Sequence, residues 1–597
     1  MDLRHLDTEP SREEREAVDA VIGAGAAPTT VPLREARRLR ANLLPALHAL
    51  QDRVGRITEG GLGYVCRRLH VPPAEAWGVV TFYALFNVDE DRPTTVAHVC
   101  DDVACRLAGA ERICGELNAS LGREGKATGG KGWMRSPCLG LCDQAPAALL
   151  VVPGAPATEV LWGAVDGPSV AEAVRTGTAP EREGVQPVQP RDQLQLLRRV
   201  GDVDPADMDA WRRSGGGAGL RRALELGPAE VIAQIGRSGL VGRGGAAFPT
   251  ARKWEAVARQ PARPHHLVCN ADESEPGTFK DRVLMEQDPF AVIEGVAIAA
   301  FAVGSELARI YVRDEYPLAR QRLQHAIDTL RRRGWLGDDV LGRGVALDVE
   351  LVRGAGAYIC GEETALLNSM EGLRGEPRQK PPFPSDSGLF GQPTAINNVE
   401  TLANVPLILT EGPEAWAARG VPGSAGTRLF CLAGHVQRPG VVEVGMGTTL
   451  REVIALGGGT PSGRPVRAVL LGGAAGGFVT ADQLDVPLTF EDTRRIGATM
   501  GSGVVLVLDD SADVADLLRR ITSFFRDESC GQCVPCRVGT VRMEEWVARR
   551  SAGGDADPAL LDDLGAVLRD ASICGLGQTA ASAVQSAVRL GLLGGGR

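Results

Sequence analysis

Cys530, Cys533 and Cys536 stand two residues apart in "ESCGQCVPC", and Cys574 follows in "SICGLG". Three thiolates on so tight a loop can face one cuboidal cluster while a fourth arrives from elsewhere, the ferredoxin pattern of 4Fe-4S ligation. Tetrahedral zinc is the alternative, although structural zinc more often takes two separated C-x2-C pairs. A second set pairs Cys100 and Cys105 in "VCDDVAC" with Cys138 and Cys142 in "SPCLGLC". Two loops with two thiolates each would hold a 2Fe-2S rhomb, one pair on each iron. These spacings are less diagnostic, and zinc stays open there. Thirteen cysteines, unevenly clustered, suit thiolate ligation in a reducing compartment better than a disulfide framework. Cys66, Cys114, Cys269, Cys360 and Cys431 are isolated and read as small buried hydrophobes.

A different chemistry is suggested by "SGLVGRGGAAFPTARKW", where Gly242, Gly244 and Gly245 let the backbone approach a phosphate and Lys253 supplies a counter-charge. The G-x-G-x-x-A fit is weak alone, because the chain has 75 glycines and no clean strand precedes the loop. Two further stretches add to it. "CNADESEPGTFKDR" carries Asn270, Asp272, Glu273 and Glu275 after an apolar strand, and "GAGAYICGEETALL" carries Gly361, Glu362 and Glu363 at the start of a helix. Amides and carboxylates at strand ends of an α/β sheet sit where such folds bind ligands, and they could hydrogen-bond a ribityl chain, a ribose or a flavin ring. Solvated turns and helix caps are the plain alternative for either stretch. Two clusters beside a nucleotide-like site imply electron transfer, with a flavin splitting a hydride into single electrons.

Several kinds of element must position these groups. Residues 1–90 read as a helical leader, with Leu43, Leu47, Leu50 and Val54 at helical spacing and "VPPAEAWGVVTFYALF" as a helix opened by proline. Residues 91–175 read as a small α/β unit around the Cys100 to Cys142 set, with "TTVAHVC" and "AALLVV" as strands. Residues 176–225, beginning with the Pro- and Gln-rich "TGTAPEREGVQPVQPRDQ", read as a linker unable to bury much surface. Residues 226–420 alternate strands and helices, 425–510 form a β-rich module, and 511–597 are helical. In the last region "SADVADLLRRITSFF" places Val514, Leu517, Leu518, Ile521 and Phe525 on one face, with Ser511 as the expected cap. A net charge of -10 argues against a general nucleic-acid binder. The start of the chain is polar and the longest apolar stretch is short for a bilayer span, so a cytoplasmic protein without direct membrane insertion is expected.

"VRGAGAYICGEETALLNSMEG", "KPPFP", "INNVET", "ESCGQCVPC" and "SICGLG" together resemble the flavin-bearing NADH-oxidising subunit shared by respiratory complex I, NAD-reducing hydrogenases and NAD-dependent molybdenum or tungsten formate dehydrogenases. "LLPALHALQDRVGRI", "TFYALF" and the Cys100 to Cys142 set resemble the 2Fe-2S subunit of the same complexes, here fused to the flavin-bearing part. The resemblance implies a multidomain α/β protein with five parts. These are a helical leader, a thioredoxin-like 2Fe-2S domain, a Rossmann-like FMN and NADH domain, an SLBB ubiquitin-like β-grasp module and a C-terminal helical 4Fe-4S domain. It implies that Gly242, Gly244, Lys253, Asn270, Asp272, Tyr358, Gly361, Glu362, Asn397, Asn398 and Thr401 contact FMN. Phe248 and Phe383 would stack on NAD, with Glu273, Glu275, Glu363 and Lys380 nearby. No side chain need act as general acid or base, since hydride passes directly between nicotinamide and flavin. Ala247 and Ala251 stand where the family often has glycine.

For the host complex the resemblance favours a formate dehydrogenase, because fusion is frequent in soluble complexes and all four N-terminal cysteines are present. Complex I and NAD-reducing hydrogenase are the alternatives. Bifurcation is not expected, since no cysteine-rich tail follows Cys574. The implied partner is a catalytic or large subunit with further iron–sulfur clusters. A zinc-bearing scaffold without redox activity is the reading from another class.

Overall fold

The computed structural model of the protein describes residues 8–25, 32, 38–182 and 184–593. Three sheets carry the cores. The first joins β1 (Thr95–Cys100), β2 (Lys131–Ser136), β3 (Ala147–Val152) and β4 (Thr158–Gly163) in the order β2-β1-β3-β4, with β1 and β2 parallel and the rest antiparallel. Helices Ala110–Leu121 and Gly167–Thr176 bury Ile113, Leu117, Val170 and Val174 on one face of it. Before it, helix Leu43–Val54 buries Leu43, Leu44, Leu47 and Leu50 at the expected spacing. The proline-opened helix stops at Val80, so the expected helical reading of "TFYALF" gives way to a turn. Residues 33–37, where the helical pattern was read to begin, lie outside the described residues.

The second sheet is wholly parallel. β5 (His266–Ala271), β6 (Leu307–Val312), β7 (Asp348–Arg353) and β8 (Thr394–Asn398) lie in the order β7-β6-β5-β8. The chain steps outward from β5 through β6 to β7, then returns to the other side of β5 for β8. Such a reversal opens a crevice at the carboxyl ends of the strands, here beside Asn270 and its register partner Asn398. Helix Pro289–Val303 is buried nearly all round because it packs against the sheet and neighbouring helices. A Cβ on its Gly295 would fall 2.1 Å from the Leu402 carbonyl oxygen, so only glycine permits this approach.

The third sheet is mixed, with β9 (Thr427–Gly434), β10 (Gly440–Gly445), β11 (Val466–Leu471), β12 (Gly477–Thr480) and β13 (Val504–Asp509) in the order β10-β9-β13-β11-β12. The central pair, β9 and β13, is parallel. Helices Val514–Asp527, Val534–Ser551 and Pro558–Ala571 then lead to the short helix Gly575–Thr579. The first of these buries the expected face, but its cap is Asp513, which accepts from the Asp516 N–H at 2.9 Å, and not Ser511. Ser511 donates to Asp509. Among the described residues no helix is long and apolar enough to cross a membrane.

Residues 176–225 are not the free linker their composition suggested. Val185, Leu194, Leu196, Leu197 and Val200 are buried, and Met208–Arg213 and Ala218–Leu226 are helices. The reason is polar: the buried Glu443 carboxylate on β10 accepts from the backbone N–H groups of Gln195, Leu196 and Leu197 at 2.9–3.1 Å. Gln189 adds two hydrogen bonds to the Glu443 backbone. A composition poor in apolar residues is thus held down by a side chain from a distant domain.

Candidate functional site

At the crevice a cavity of about 410 Å³ opens, within the size of ordinary small-molecule sites. Six regions wall it. The glycine loop contributes Gly244 and Gly245, the β5 end Asn270, Asp272, Glu273 and Glu275, and the segment after β7 Tyr358, Gly361 and Glu362. Asn398 ends β8, Gly472, Ala475 and Ser502 come from the third sheet, and Gly575 and Leu576 follow Cys574 directly. Within the glycine loop Ala247 sits at φ 53°, the left-handed region that favours glycine. A Cβ on Gly244 would meet Asn398 at 3.1 Å, so the missing side chain keeps this wall open.

Of the residues expected at the site, Gly242, Asn397, Thr401, Lys253 and Glu363 stand behind the wall and support it. Gly242 N–H donates to Phe248 O at 2.9 Å, and Thr401 Oγ1 accepts from Arg243 N–H at 2.8 Å. Asn397 Oδ1 accepts from Trp254 Nε1 at 2.8 Å. Lys253 Nζ donates to Ile396 O at 2.9 Å and lies 3.5 Å from Glu363. Lys380 joins Glu363 at 2.7 Å and Glu362 at 3.0 Å. Phe248 and Phe383 expose about half their surface, 52% and 53%, and such exposed rings can stack on a planar ligand; Lys253 Nζ lies 5.9 Å from the Phe248 ring centre.

The carboxylates differ in what they have left to offer. Glu362 caps helix Glu363–Met370 through Thr364 and Ala365 N–H. Glu273 caps helix Lys280–Gln287 through Asp281 and Arg282 N–H at 2.9 Å each. Burial pushes the Glu273 carboxyl up to about 8, helped by the nearby Asp281. Asp272 is pushed up to about 8 chiefly by burial, and its Oδ2 is buried without a protein partner. Glu275 accepts from Ala475 N–H at 2.9 Å and is raised to about 7 by burial. Burial would also raise Glu363, but Lys253 and Lys380 outweigh it and hold this carboxyl below its usual range. An orphaned acid, backbone donors on a glycine loop and a cavity of this volume fit a phosphate-bearing, polar-edged planar group.

Both cysteine sets adjoin this cavity, and all thirteen cysteines are free thiols. Cys530 and Cys533 are half-buried, Cys536 lies in the first turn of helix Val534–Ser551, and Cys574 caps Gly575–Thr579. Burial raises the Cys536 thiol to about 12 and Cys574 to about 11, with neighbouring cysteines adding to the Cys536 shift. In the other set Cys138 and Cys142 Sγ are 3.5 Å apart. Hydrogen bonds from Cys100 and Cys142 hold the Cys138 thiol well below its usual range against the opposing effect of burial, and Arg313 and the Gly277 N–H assist. Among the described residues no three such side chains stand at single-ion distances, so the sets are identified by shared loops and proximity. The donors, four thiols each, fit iron–sulfur clusters. Sequence reasoning missed the third sheet's share of the wall and Glu528, which accepts from Tyr358 N–H at 2.8 Å. The glycine-rich "LGGAAGGF" was the available signal for the former.

Four family models match the chain in order. They are the thioredoxin-like 2Fe-2S ferredoxin over residues 32–152, the Nuo51 FMN-binding domain over 235–407, the SLBB domain over 429–479 and the NADH-ubiquinone oxidoreductase-F iron-sulfur binding region over 516–590. The chain is 44% identical over 393 residues to the NADP-reducing hydrogenase subunit HndC of Solidesulfovibrio fructosivorans, covering 65% of this chain and 80% of that protein. It is 43% identical over 402 residues to an NADH-quinone oxidoreductase subunit of Rhizobium meliloti, covering 66% and 94%. The crystal structure of an NAD+-reducing NiFe hydrogenase in the air-oxidized state superimposes with a TM-score of 0.79 at 31% identity, over 94% of this chain and 93% of that one.

Proposed function

This chain belongs to the family of NADH dehydrogenase subunits that carry FMN and iron–sulfur clusters, and from that premise we propose that it is the electron-input subunit of an NAD-dependent molybdenum or tungsten formate dehydrogenase. FMN, when bound, exchanges a hydride with NAD(H) and passes the two electrons on singly. The observation that carries the electron-transfer reading is the cavity's position. Its wall includes Leu576, two residues from Cys574, and the Glu273 loop, whose Gly277 N–H faces Cys138.

The chain's own residues bind, orient and exclude water. Gly244 and Gly245 leave the backbone open to a phosphate, Asn270, Asp272 and Asn398 present polar atoms to the ring or ribityl chain, and Tyr358 closes the side toward the 4Fe-4S domain. Behind them Lys253 and Lys380 hold Glu363 and Glu362 in place. Phe248 and Phe383 would sandwich the nicotinamide or adenine ring, while Glu275 would repel a 2'-phosphate and favour NAD over NADP. Cys100, Cys105, Cys138 and Cys142 would hold the 2Fe-2S cluster, and Cys530, Cys533, Cys536 and Cys574 the 4Fe-4S cluster. Val534, Val538 and Ile573 expose 59%, 46% and 38% of their surface around the latter, as a surface that meets a second subunit would.

Fusion of the two modules and the complete N-terminal cysteine set support the formate reading. A hydrogenase host is the second reading, favoured by the whole-chain likeness to the NAD+-reducing hydrogenase. Mild affinity purification of the tagged chain with its partners tests both. Molybdenum or tungsten with formate-dependent NAD+ reduction is the expected outcome. Nickel with hydrogen-dependent reduction, or membrane-arm subunits with quinone-linked NADH oxidation, would replace it.

A further inference from the structure

The connector that Glu443 holds by its backbone ends in two arginines with too few partners. Arg198 and Arg199 line a second cavity, of about 30 Å³, between the glycine turn at Gly215 and Gly216, the start of helix Pro289–Val303 and helix Val405–Glu411. That is room for about two water-sized spheres. Among the described residues the half-buried Arg198 guanidinium makes no ion pair and no hydrogen bond. Burial and the charge of Arg199 push it below the usual arginine range, and the more distant Asp288, Glu411 and Glu294 do not offset them. Arg199, 7% exposed, donates from Nε to Asp288 Oδ2 at 2.7 Å, while its Nη1 is buried without a partner. The indole N–H of Trp211, against which Gly216 packs, is unpartnered as well. Both acids of the cavity are already engaged, Asp288 by Arg199 and Glu294 by the Gly217 and Leu220 N–H groups at 3.0 Å each. One positive charge, that of Arg198, is left over.

We propose that this cavity binds one small monovalent anion, a halide or a carboxylate of one or two carbons, held by Arg198 and Arg199. The volume excludes a nucleotide, and the single uncompensated charge sets the valence. Water could satisfy the orphaned N–H groups but would leave a desolvated cation without a counter-charge, which is the costlier defect. Helix Pro289–Val303 adds to the attraction, since its positive N-terminus borders the cavity and carries no side-chain cap. A guanidinium binds a small anion through charge-assisted hydrogen bonds, so the occupant would tie the connector to this helix. The site shares no residue with the larger cavity and is independent of the flavin reading.

The test is anomalous diffraction from crystals of the full chain with its cofactors, grown in gluconate, which is too large for the cavity, and soaked in bromide. A bromide peak in contact with the Arg198 and Arg199 guanidinium groups is expected, and water alone at that place would overturn the proposal. In solution, exchange of gluconate for chloride at constant ionic strength should slow proteolysis between residues 185 and 200. If cleavage requires the connector to open, the slowing is about threefold when the anion stands at twice its Kd, and it saturates. Arg198→Gln, which breaks no contact within the chain, is expected to lose both the bromide peak and the chloride protection. In gluconate the same variant should resist cleavage at least as well as the wild type, because it removes a cation that nothing there balances. A wild type indifferent to chloride, a variant protected as the wild type is, or a variant cut faster in gluconate would each overturn the assignment. The bromide measurement on the wild type decides the matter without any variant.

Discussion

Burial sets the chemistry of single residues here. Glu275 titrates at about 7 because burial disfavours its charge, while its unfolded value is near 4.5. A raised carboxyl binds more protons folded than unfolded, so wild-type stability falls as pH rises from about 4.5 to about 7 and is then level. Glu275→Gln removes that loss. Its stability should therefore gain on the wild type across this window, by about 1–2 kcal/mol once partial exposure is discounted, and a gap in melting temperature that does not vary with pH would contradict this. Cys533→Ala should remove the 4Fe-4S EPR signal and lower iron from about six to about two per chain, with flavin and the 2Fe-2S signal retained. Ala247 carries a left-handed backbone at a cost of about 1 kcal/mol, so Ala247→Gly should raise the melting temperature by about 1 °C in a chain of this length. The cysteine groupings were legible in the sequence because each pair or triplet keeps its spacing within one loop, while the meeting of those loops, and of Cys574 with the triplet, is a matter of the assembled fold. Asp272 was legible only as a polar residue after a strand, since its lack of a partner is a property of the assembled wall.

Elements were legible where one period governed them. The alternation of strands and helices from 266 to 398 follows from apolar runs that must be covered on both faces. Caps and connectors followed tertiary partners instead. Asp513 displaced the expected Ser511 because its carboxylate reaches the Asp516 N–H. The connector at 185–200 looked free by composition, yet three of its N–H groups end on Glu443. Glu443→Ala would leave those buried donors unsatisfied at about 1–3 kcal/mol each. Limited proteolysis should then cut between residues 185 and 200 well before the wild-type chain is cut there, and equal rates would show that the connector is held otherwise. The helix Val514–Asp527 has a double duty that no periodicity reveals. Arg520 pairs with Asp101 and Asp102 at 3.4 and 3.2 Å, and Asp516 with Arg106, so the helix leading to Cys530 also docks the loop of Cys100 and Cys105.

At the scale of the molecule, the parallel sheet, the third sheet and a helical end converge on one cavity that adjoins both cysteine sets. The parallel sheet supplies the crevice, the third sheet closes it through Ala475 and Ser502, and the C-terminal helices bring Leu576 to its edge. That convergence could not be read from the chain, because its parts lie more than 300 residues apart. On the proposed reading this one polypeptide joins a hydride acceptor to two one-electron centres. An anaerobic NADH titration of the purified chain, followed by EPR and by flavin release on denaturation, tests it most directly. About one FMN per chain and two separable signals are expected, one removed by Cys533→Ala and the other by Cys138→Ala. A colourless protein that binds zinc, releases no flavin and shows no signal on reduction would contradict it.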